Sequence, residues 1–160
     1  MIRTFLLLSF FHLALLASSQ SIPTKIPAFH MVLPNGGTYS VDSLPKNKPL
    51  LLIYFAPDCG HCQALMKEIF KRISDFNKAE LVLLTFKPLP ELQPFVQQYN
   101  INQYPNIKVG TEVPIFYIRF YYNVTTTPFT ALFDRKGKLV QSYRRETSVP
   151  DLVKRLKAMK

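Results

Sequence analysis

The sequence predicts an α/β domain with a central mixed β-sheet. Two apolar runs that are typical of buried strands, residues 50–55 and 80–86, lie on either side of a long amphipathic segment, which is the pattern of a parallel βαβ unit. Two further pairs of short strands, one on each side of this unit, are joined by polar turns and predict antiparallel hairpins. The predicted order is therefore a β-hairpin, a βαβ unit, further helices and a final ββα unit.

The predicted N-terminal hairpin lies in residues 26–41. Residues 26–33 are mostly apolar and predict its first strand, and residues 38–41 predict the return strand. The sequence Pro-Asn-Gly-Gly at residues 34–37 is typical of a tight turn between two such strands.

A long helix is predicted after the first buried strand. Apolar residues recur there at intervals of three and four, which is the spacing of one helical face. These residues are Cys62, Leu65, Met66, Ile69, Phe70, Ile73 and Phe76. The spacing puts Cys59 at the N-terminus of the helix and Cys62 one turn inside it, facing the core.

The segment after the second buried strand is less regular. Pro88 and Pro90 precede a short predicted helix, and residues 100–110 support no assignment. A further helix is predicted over residues 115–122, with a proline in its first turn and Asn123 at its end. Its aromatic side chains are expected in the core rather than in a ligand-binding cage.

The C-terminal part is predicted as a hairpin and a helix. Residues 129–133 and 138–143 are the expected strands, and the sequence Asp-Arg-Lys-Gly at residues 134–137 is the expected turn. The last helix is expected to begin near Pro150. No repeat or internal linker interrupts the chain, so the sequence predicts one domain.

The N-terminus has the composition of an export signal. Arg3 precedes an apolar stretch at residues 5–17, and small residues follow at a plausible cleavage site. The alternative is a membrane anchor, but spanning a bilayer takes about 20 apolar residues, and this stretch is shorter and contains His12. We expect segment 1–19 to be removed, which leaves a domain over residues 20–160 in a periplasmic or secreted protein.

The chain is basic, with 20 lysines and arginines against 10 aspartates and glutamates. Such a balance invites a nucleic-acid interpretation, which we do not favour. The basic residues near the C-terminus alternate with apolar ones, as on the solvated face of a helix, and an exported protein rarely meets nucleic acid. Acidic protein partners or solubility explain the charge more simply.

The two cysteines of the chain, Cys59 and Cys62, form a Cys-Gly-His-Cys motif after a buried strand. Unpaired backbone N–H groups and the helix dipole favour a thiolate at the N-terminus of a helix. We therefore expect Cys59 to be the nucleophile and Cys62 the resolving thiol. A purely structural disulfide is less favoured, because a bridge across two residues constrains the unfolded chain very little.

Three segments of the chain resemble the thioredoxin fold, and within it the exported TlpA/ResA-like branch. They are residues 26–29 (Ile-Pro-Ala-Phe), residues 55–62 (Phe-Ala-Pro-Asp-Cys-Gly-His-Cys) and residues 124–138, which contain Thr127-Pro128. The resemblance implies a three-layer α/β/α domain with an N-terminal β-hairpin and the activity of a thiol–disulfide oxidoreductase. It also implies that the Thr127–Pro128 bond is cis, lies against the dithiol and binds the substrate. The alternative is an ordinary trans proline at the start of an edge strand.

The chain lacks the carboxylates that related proteins commonly have at two positions near the first cysteine. Thioredoxins commonly have a buried aspartate six residues before the first cysteine, where this chain has Ile53. The ResA-like group commonly has a glutamate six residues after it, where this chain has Leu65. Glu68 is predicted on the polar face of the helix and is a poor substitute, so the sequence assigns no proton-transfer group.

The Gly-His pair between the cysteines resembles that of protein disulfide isomerases. A cationic His61 would stabilise the Cys59 thiolate and thereby favour the reduced state, so we include His61 in the catalytic site. The alternative is that His61 is a solvated residue in an exposed turn. The sequence leaves open whether the protein acts as a reductase, an oxidase or an isomerase, or binds partners without redox activity.

Other functions fit the motif less well. Peroxiredoxins have threonine or serine three residues before the attacking cysteine, where this chain has Ala56, and haem attachment requires histidine in place of Gln63. A structural zinc site normally needs four protein ligands. Besides the two cysteines, only His30 and His61 remain after the export signal, and His61 lies between the cysteines, so no metal or cofactor is expected. The expected partners are protein thiols and disulfides and a membrane-bound electron donor or acceptor. No dimerisation segment is visible, so we expect a monomer, with a reductase favoured.

Overall fold

The computed structural model describes residues 22–159 of the chain, so the predicted export signal lies outside the described residues. These residues form seven strands and four α-helices. The strands are β1 (His30–Val32), β2 (Thr38–Ser40), β3 (Leu50–Phe55), β4 (Glu80–Thr85), β5 (Ile107–Glu112), β6 (Phe129–Phe133) and β7 (Leu139–Arg144). The helices are α1 (Gly60–Lys71), α2 (Leu89–Gln98), α3 (Tyr117–Tyr121) and α4 (Val149–Ala158).

The seven strands form one mixed sheet in the order β2-β1-β5-β4-β3-β6-β7. Strands β3, β4 and β5 are parallel to one another, and the other pairs are antiparallel. The predicted mixed sheet, N-terminal hairpin, βαβ unit and C-terminal hairpin are confirmed. Together with the helices on both sides, this is the thioredoxin fold.

The sheet separates two apolar clusters, because alternate residues of a strand point to opposite faces. Leu51, Ile53 and Phe55 of β3 pack with helices α1, α2 and α4 on one face. Leu52 and Tyr54 pack on the other face with α3 and with the segment that precedes β1. The predicted three layers are therefore present, with the buried strands β3 and β4 at the centre.

The unassigned segment 100–110 contains most of a strand that the sequence did not predict. Strand β5 lies between β4 and the N-terminal hairpin, and it extends the parallel part of the sheet by a second crossover through α2. Strand β5 contains lysine, glycine, threonine and glutamate, which are not typical of a buried strand, so its composition did not predict one. Gly110 is required there, since a Cβ atom would lie 2.6 Å from the carbonyl oxygen of Val32 on β1.

The predicted helix over residues 115–122 is shorter than expected. Helix α3 begins only at Tyr117, because Phe116 before it has a left-handed backbone with φ 67°. Asn123 after the helix is also left-handed, as expected of a residue that ends a helix. The expectation of a core position is correct for Tyr122 and wrong for Phe120, whose surface is 79% exposed.

Two smaller differences concern element ends. Helix α1 ends at Lys71, and residues 73–76 form a separate 3₁₀ turn rather than its continuation. Of the first predicted strand, residues 26–33, only His30–Val32 form a strand. Within residues 22–159, no helix has the length and apolar character needed to cross a membrane.

Candidate active site

The dithiol lies where the central strand β3 ends and helix α1 begins. The amide of Cys59 donates to the carbonyl of Ala56 at 3.1 Å, which closes the turn between the two elements. Cys59 has an extended backbone at the N-cap position of the helix, and Cys62 lies in its first turn. The predicted placement of both cysteines is confirmed. The C-terminal ends of β3, β4 and β5 share this edge of the sheet, where α/β proteins commonly bind ligands.

The two thiols differ in exposure. Cys59 is partly exposed, whereas Cys62 is only 1% exposed and packs within the apolar cluster of α1. Both thiols are free, so the structure describes the reduced dithiol. A disulfide in solution can therefore approach the Cys59 thiol but not the Cys62 thiol.

The two thiols also differ in acidity. Burial opposes ionisation of Cys59, but hydrogen bonds from the Cys62 thiol, the Thr127 side chain and the amides of Cys62 and His61 lower its pKa below the usual value. Burial, together with the hydrogen bond to Cys59, raises the pKa of Cys62 to about 12. The first cysteine is therefore suited to be the thiolate, and the second stays protonated until it is needed.

The loop before β6, residues 124–128, which we call the proline loop, forms a second wall of the site. Pro128 follows a cis peptide bond, as the resemblance implies. Strands β3 and β6 pair with Tyr54 opposite Phe129, which brings the preceding Thr127 beside the turn that follows β3. The Cys59 thiol donates to the Thr127 carbonyl oxygen over a distance of 3.5 Å. The structure thus brings together all four predicted residues of the dithiol and the proline loop.

His61 lies in the first turn of α1, with its side chain exposed to solvent. It lines a cavity that Thr127 also lines. Its backbone amide contributes to the low pKa of Cys59. The charge of its imidazole stays a proposed influence on the thiolate.

The sequence of this domain matches an established family. Residues 41–160 match the thioredoxin-like domain family. The chain belongs to this family. It is 32% identical over 111 residues to protein disulfide isomerase-like 1-1 of Arabidopsis thaliana, an alignment that covers 67% of this chain and 22% of that protein. This thioredoxin-like domain therefore spans about a fifth of the length of the curated relatives that it matches.

Solved structures confirm the thioredoxin fold. A secreted disulfide oxidoreductase of Mycobacterium tuberculosis superimposes with a TM-score of 0.67 at 21% identity, covering 82% of this chain and 96% of that chain. The exposed lipoprotein thioredoxin Etrx1 of Streptococcus pneumoniae superimposes with a TM-score of 0.61 at 21% identity, covering 81% of this chain and 98% of that chain. The structural neighbours thus include secreted or surface-exposed thioredoxin-like proteins.

An ion-pair network supports the active-site turn of this thioredoxin-like domain. Asp58, directly before Cys59, pairs with Lys87 at 2.8 Å, and Lys87 also pairs with Glu91 of α2 at 3.2 Å. The hydrogen bond from Lys87 lowers the pKa of Asp58. The negative charge beside the nucleophile is thus compensated by a lysine on the next crossover connection.

Carboxylates are absent from the two positions where relatives carry them. Ile53 and Leu65 are buried in the cluster that surrounds Cys62, and Glu68 is exposed. Sequence analysis missed the buried Glu112 of β5, because its segment had no clear pattern. Its carboxylate accepts from the Tyr54 hydroxyl at 2.8 Å, and Tyr54 points to the opposite face of the sheet from Cys62.

A cavity of about 430 Å³, which we call the flanking cavity, opens beside the dithiol. Its two arginines could not be assigned to the site from sequence patterns, since Arg119 lies in an aromatic helix and Arg145 follows the last strand. The flanking cavity is lined by Tyr54, His61, Phe86, Arg119, Val124, Thr125, Thr126, Thr127 and Arg145.

Proposed function

We propose that this protein is an exported thiol–disulfide oxidoreductase of the TlpA/ResA-like branch that reduces disulfides in other proteins. Its dithiol motif, Cys59-Gly60-His61-Cys62, would accept electrons from a membrane-bound donor in the same compartment. The difference between the two thiols is the observation that carries the proposal, because exchange requires one accessible thiolate and one protected thiol.

The reaction proceeds in two exchanges. The Cys59 thiolate attacks one sulfur of a substrate disulfide, and the other substrate sulfur leaves as a thiolate that takes up a proton. Cys62 then loses its proton and attacks the Cys59 sulfur, which forms the Cys59–Cys62 disulfide and releases the second substrate thiol. Two electrons and two protons pass to the substrate, and the donor must restore the dithiol.

The proline loop would hold the substrate during this reaction. An extended segment can pair with the backbone of Thr127, while Pro128 has no N–H group to compete at that point. The close approach of Thr127 to Cys59 supports this role, because exchange needs the attacked sulfur in line with the thiolate. His61 would stabilise the thiolate by its charge when it is protonated.

An oxidase or isomerase is the second candidate. The Gly-His pair between the cysteines and the alignment with a protein disulfide isomerase-like relative favour it. The reduction potential of the dithiol distinguishes the two directions. A potential near that of thioredoxin, about −270 mV, supports a reductase, and one near that of protein disulfide isomerase, about −180 mV, supports the second candidate.

Trapping tests the assigned roles of the cysteines. The Cys62→Ser variant should accumulate mixed disulfides with protein partners through Cys59, since the resolving thiol is missing. The Cys59→Ser variant is the matched control and should trap none. The opposite result would reverse the roles of the two cysteines. If the wild-type protein does not exchange even a small disulfide, the protein is a binding module without redox activity.

Export is tested separately on the full chain expressed in a bacterium with a periplasm. The protein recovered from the periplasm should begin near Gln20. Retention of residues 1–19 on membrane-bound protein would instead indicate an anchor.

A further inference from the structure

We infer that the flanking cavity is a subsite for an acidic side chain of the substrate, close in sequence to the cysteine that is reduced. The inference rests on the proposed function and adds a substrate preference to it. The cavity is shared between the dithiol turn, through His61, and the proline loop, through Thr127. A substrate segment bound along Thr127 would therefore have neighbouring side chains within reach of the cavity.

The lining of the flanking cavity is cationic. Its positive charge comes from Arg119 and Arg145, and no aspartate or glutamate lines it. Arginine presents a planar set of five N–H donors that matches a carboxylate in geometry as well as charge. This composition favours a carboxylate over an amide or an ammonium group.

Arg119 is held in position but keeps donors for a ligand. Its Nε donates to the carbonyl of Val124 at 3.2 Å, and one Nη donates to that of Thr125 at 3.4 Å. Its guanidinium lies 5.7 Å from the centre of the Phe116 ring. Within residues 22–159 it forms no ion pair with a carboxylate. The guanidinium is therefore preorganised, and its charge is not neutralised by a neighbour.

Arg145 is anchored through its backbone instead. Its amide donates to the carbonyl of Pro128 at 2.8 Å, and its φ of 64° lies in the left-handed region, which is uncommon for a long side chain. Among the described residues, its side chain has no hydrogen bond or ion pair. The same proline that borders the dithiol thus fixes the backbone of a second uncompensated cation.

Two acidic residues on neighbouring elements, Asp58 and Glu112, have partners elsewhere. Asp58 pairs with Lys87. Glu112 is 1% exposed and accepts hydrogen bonds from Tyr54 and from the amides of Phe116 and Ile118. Neither carboxylate lines the flanking cavity, so neither occupies the place of a substrate carboxylate.

The rest of the lining fits the carbon chain of glutamate. The rings of Tyr54 and Phe86, with centroids 5.9 Å apart, and the side chain of Val124 line the same cavity as the arginines. Two methylene groups can pack there while the carboxylate reaches the guanidinium groups. The net charge of +10 would also attract acidic partners over longer distances.

The test uses symmetric disulfides of short peptides with blocked termini, so that attack on either sulfur gives the same products. One series has glutamate at each of three positions on either side of the cysteine, and matched series have glutamine or lysine there. Reduced protein is mixed with each peptide, and products are measured by mass spectrometry after an acid quench. At one or more positions we expect glutamate peptides to react about threefold to tenfold faster than glutamine peptides.

Variants identify the source of this preference. Arg145→Gln and Arg119→Gln should each reduce the ratio of glutamate to glutamine rates, and Arg145→Glu should favour the lysine peptides. Arg135→Gln is the matched control, because it removes an arginine from the exposed β6–β7 turn at the other end of β6 and should leave the ratio unchanged. Raising the salt concentration should also lower the ratio in the wild type.

Two results would overturn the inference, and they have different meanings. Equal rates for glutamate, glutamine and lysine at every position, or a preference that survives all three cavity variants, would overturn the subsite but leave the proposed oxidoreductase intact. Failure to reduce every peptide and also hydroxyethyl disulfide, a small neutral disulfide, would overturn the proposed function and the subsite together.

Discussion

The thiol of Cys59 lies 3.5 Å from the carbonyl oxygen of Thr127, although 68 residues separate the two in sequence. The contact joins the turn after β3 to the loop before β6. Because these strands are direct neighbours in the sheet, the two segments are supported by the same rigid element. The nucleophile and the expected substrate-binding backbone are therefore held in a fixed relationship.

Selective alkylation should distinguish the two cysteines. Iodoacetamide reacts with the thiolate form of cysteine. Because the pKa of Cys59 is lowered, its rate of alkylation should increase at lower pH than the rate of an ordinary thiol. Cys62, with a pKa of about 12 and 1% exposure, should stay unmodified near pH 7. Peptide mapping of the reduced protein across pH 5–9 measures both rates. Equal labelling of the two cysteines would contradict the assignment.

The Thr127 side chain should contribute to the acidity of Cys59. Thr127→Val keeps the shape of the side chain but removes the hydroxyl, so we expect the alkylation profile of Cys59 to move to higher pH. Thr125→Val, which removes a hydroxyl from the same loop, is the control and should move it less. An unchanged profile in the Thr127 variant would show that the hydroxyl has no part in stabilising the thiolate.

The imidazole of His61 should make the dithiol less strongly reducing. His61→Pro removes the imidazole from the turn, and with it the stabilisation that we propose for the Cys59 thiolate, so the reduction potential should fall by tens of millivolts, where 30 mV corresponds to about 1.4 kcal/mol. Equilibration with glutathione measures the potential. His30→Gln, at an exposed position in β1, controls for loss of a histidine. An unchanged potential together with an unchanged Cys59 pKa would rule out the electrostatic role.

Glu112 should be important for stability. Glu112→Ala leaves the Tyr54 hydroxyl and the amides of Phe116 and Ile118 without an acceptor, so we expect the free energy of unfolding to fall by about 2–4 kcal/mol. Glu112→Gln keeps an acceptor oxygen and should lose less. Urea unfolding measures both values, and similar losses in the two variants would contradict this account.

The Glu112 carboxylate also predicts that the stability of the protein depends on pH. Burial raises the pKa of Glu112, so the folded state binds its proton more tightly than the unfolded state does. Its contribution to stability is full at pH values below the unfolded pKa and is lost as the pH rises through the folded pKa. The Glu112→Gln variant should therefore gain stability relative to the wild type as pH rises above about 4.5. A constant difference across that range would contradict the raised pKa.

Gly110 should tolerate no side chain. Gly110→Ala would bring a Cβ atom to 2.6 Å from the Val32 carbonyl oxygen, so β1 and β5 would have to separate. We expect a loss of about 1–3 kcal/mol in the free energy of unfolding. Gly60→Ala is the control, since a Cβ atom there meets no atom within 4 Å. Equal stability of the two variants would show that the strands adjust easily.

The local elements of this protein follow from periodicity in the sequence. Strands β3 and β4 are continuous apolar runs, and the apolar face of α1 identifies both the helix and the inward orientation of Cys62. The placement of the two cysteines was predictable for the same reason, since they lie three positions apart at the start of one helix. Strand β5 was missed because its burial comes from neighbours on both sides rather than from its own composition.

The sequence by itself determined the α/β class, the order of most elements and the position of the two thiols at the start of a helix. Only the tertiary structure decided which distant side chains surround them. The sheet register sets Thr127 against Cys59, and the loops on that edge gather Tyr54, Arg119 and Arg145 around one cavity. The periodicity of apolar residues shows which face of a helix or strand a side chain lies on. A cavity depends on how several elements pack together, and no sequence pattern links residues that are far apart in the chain.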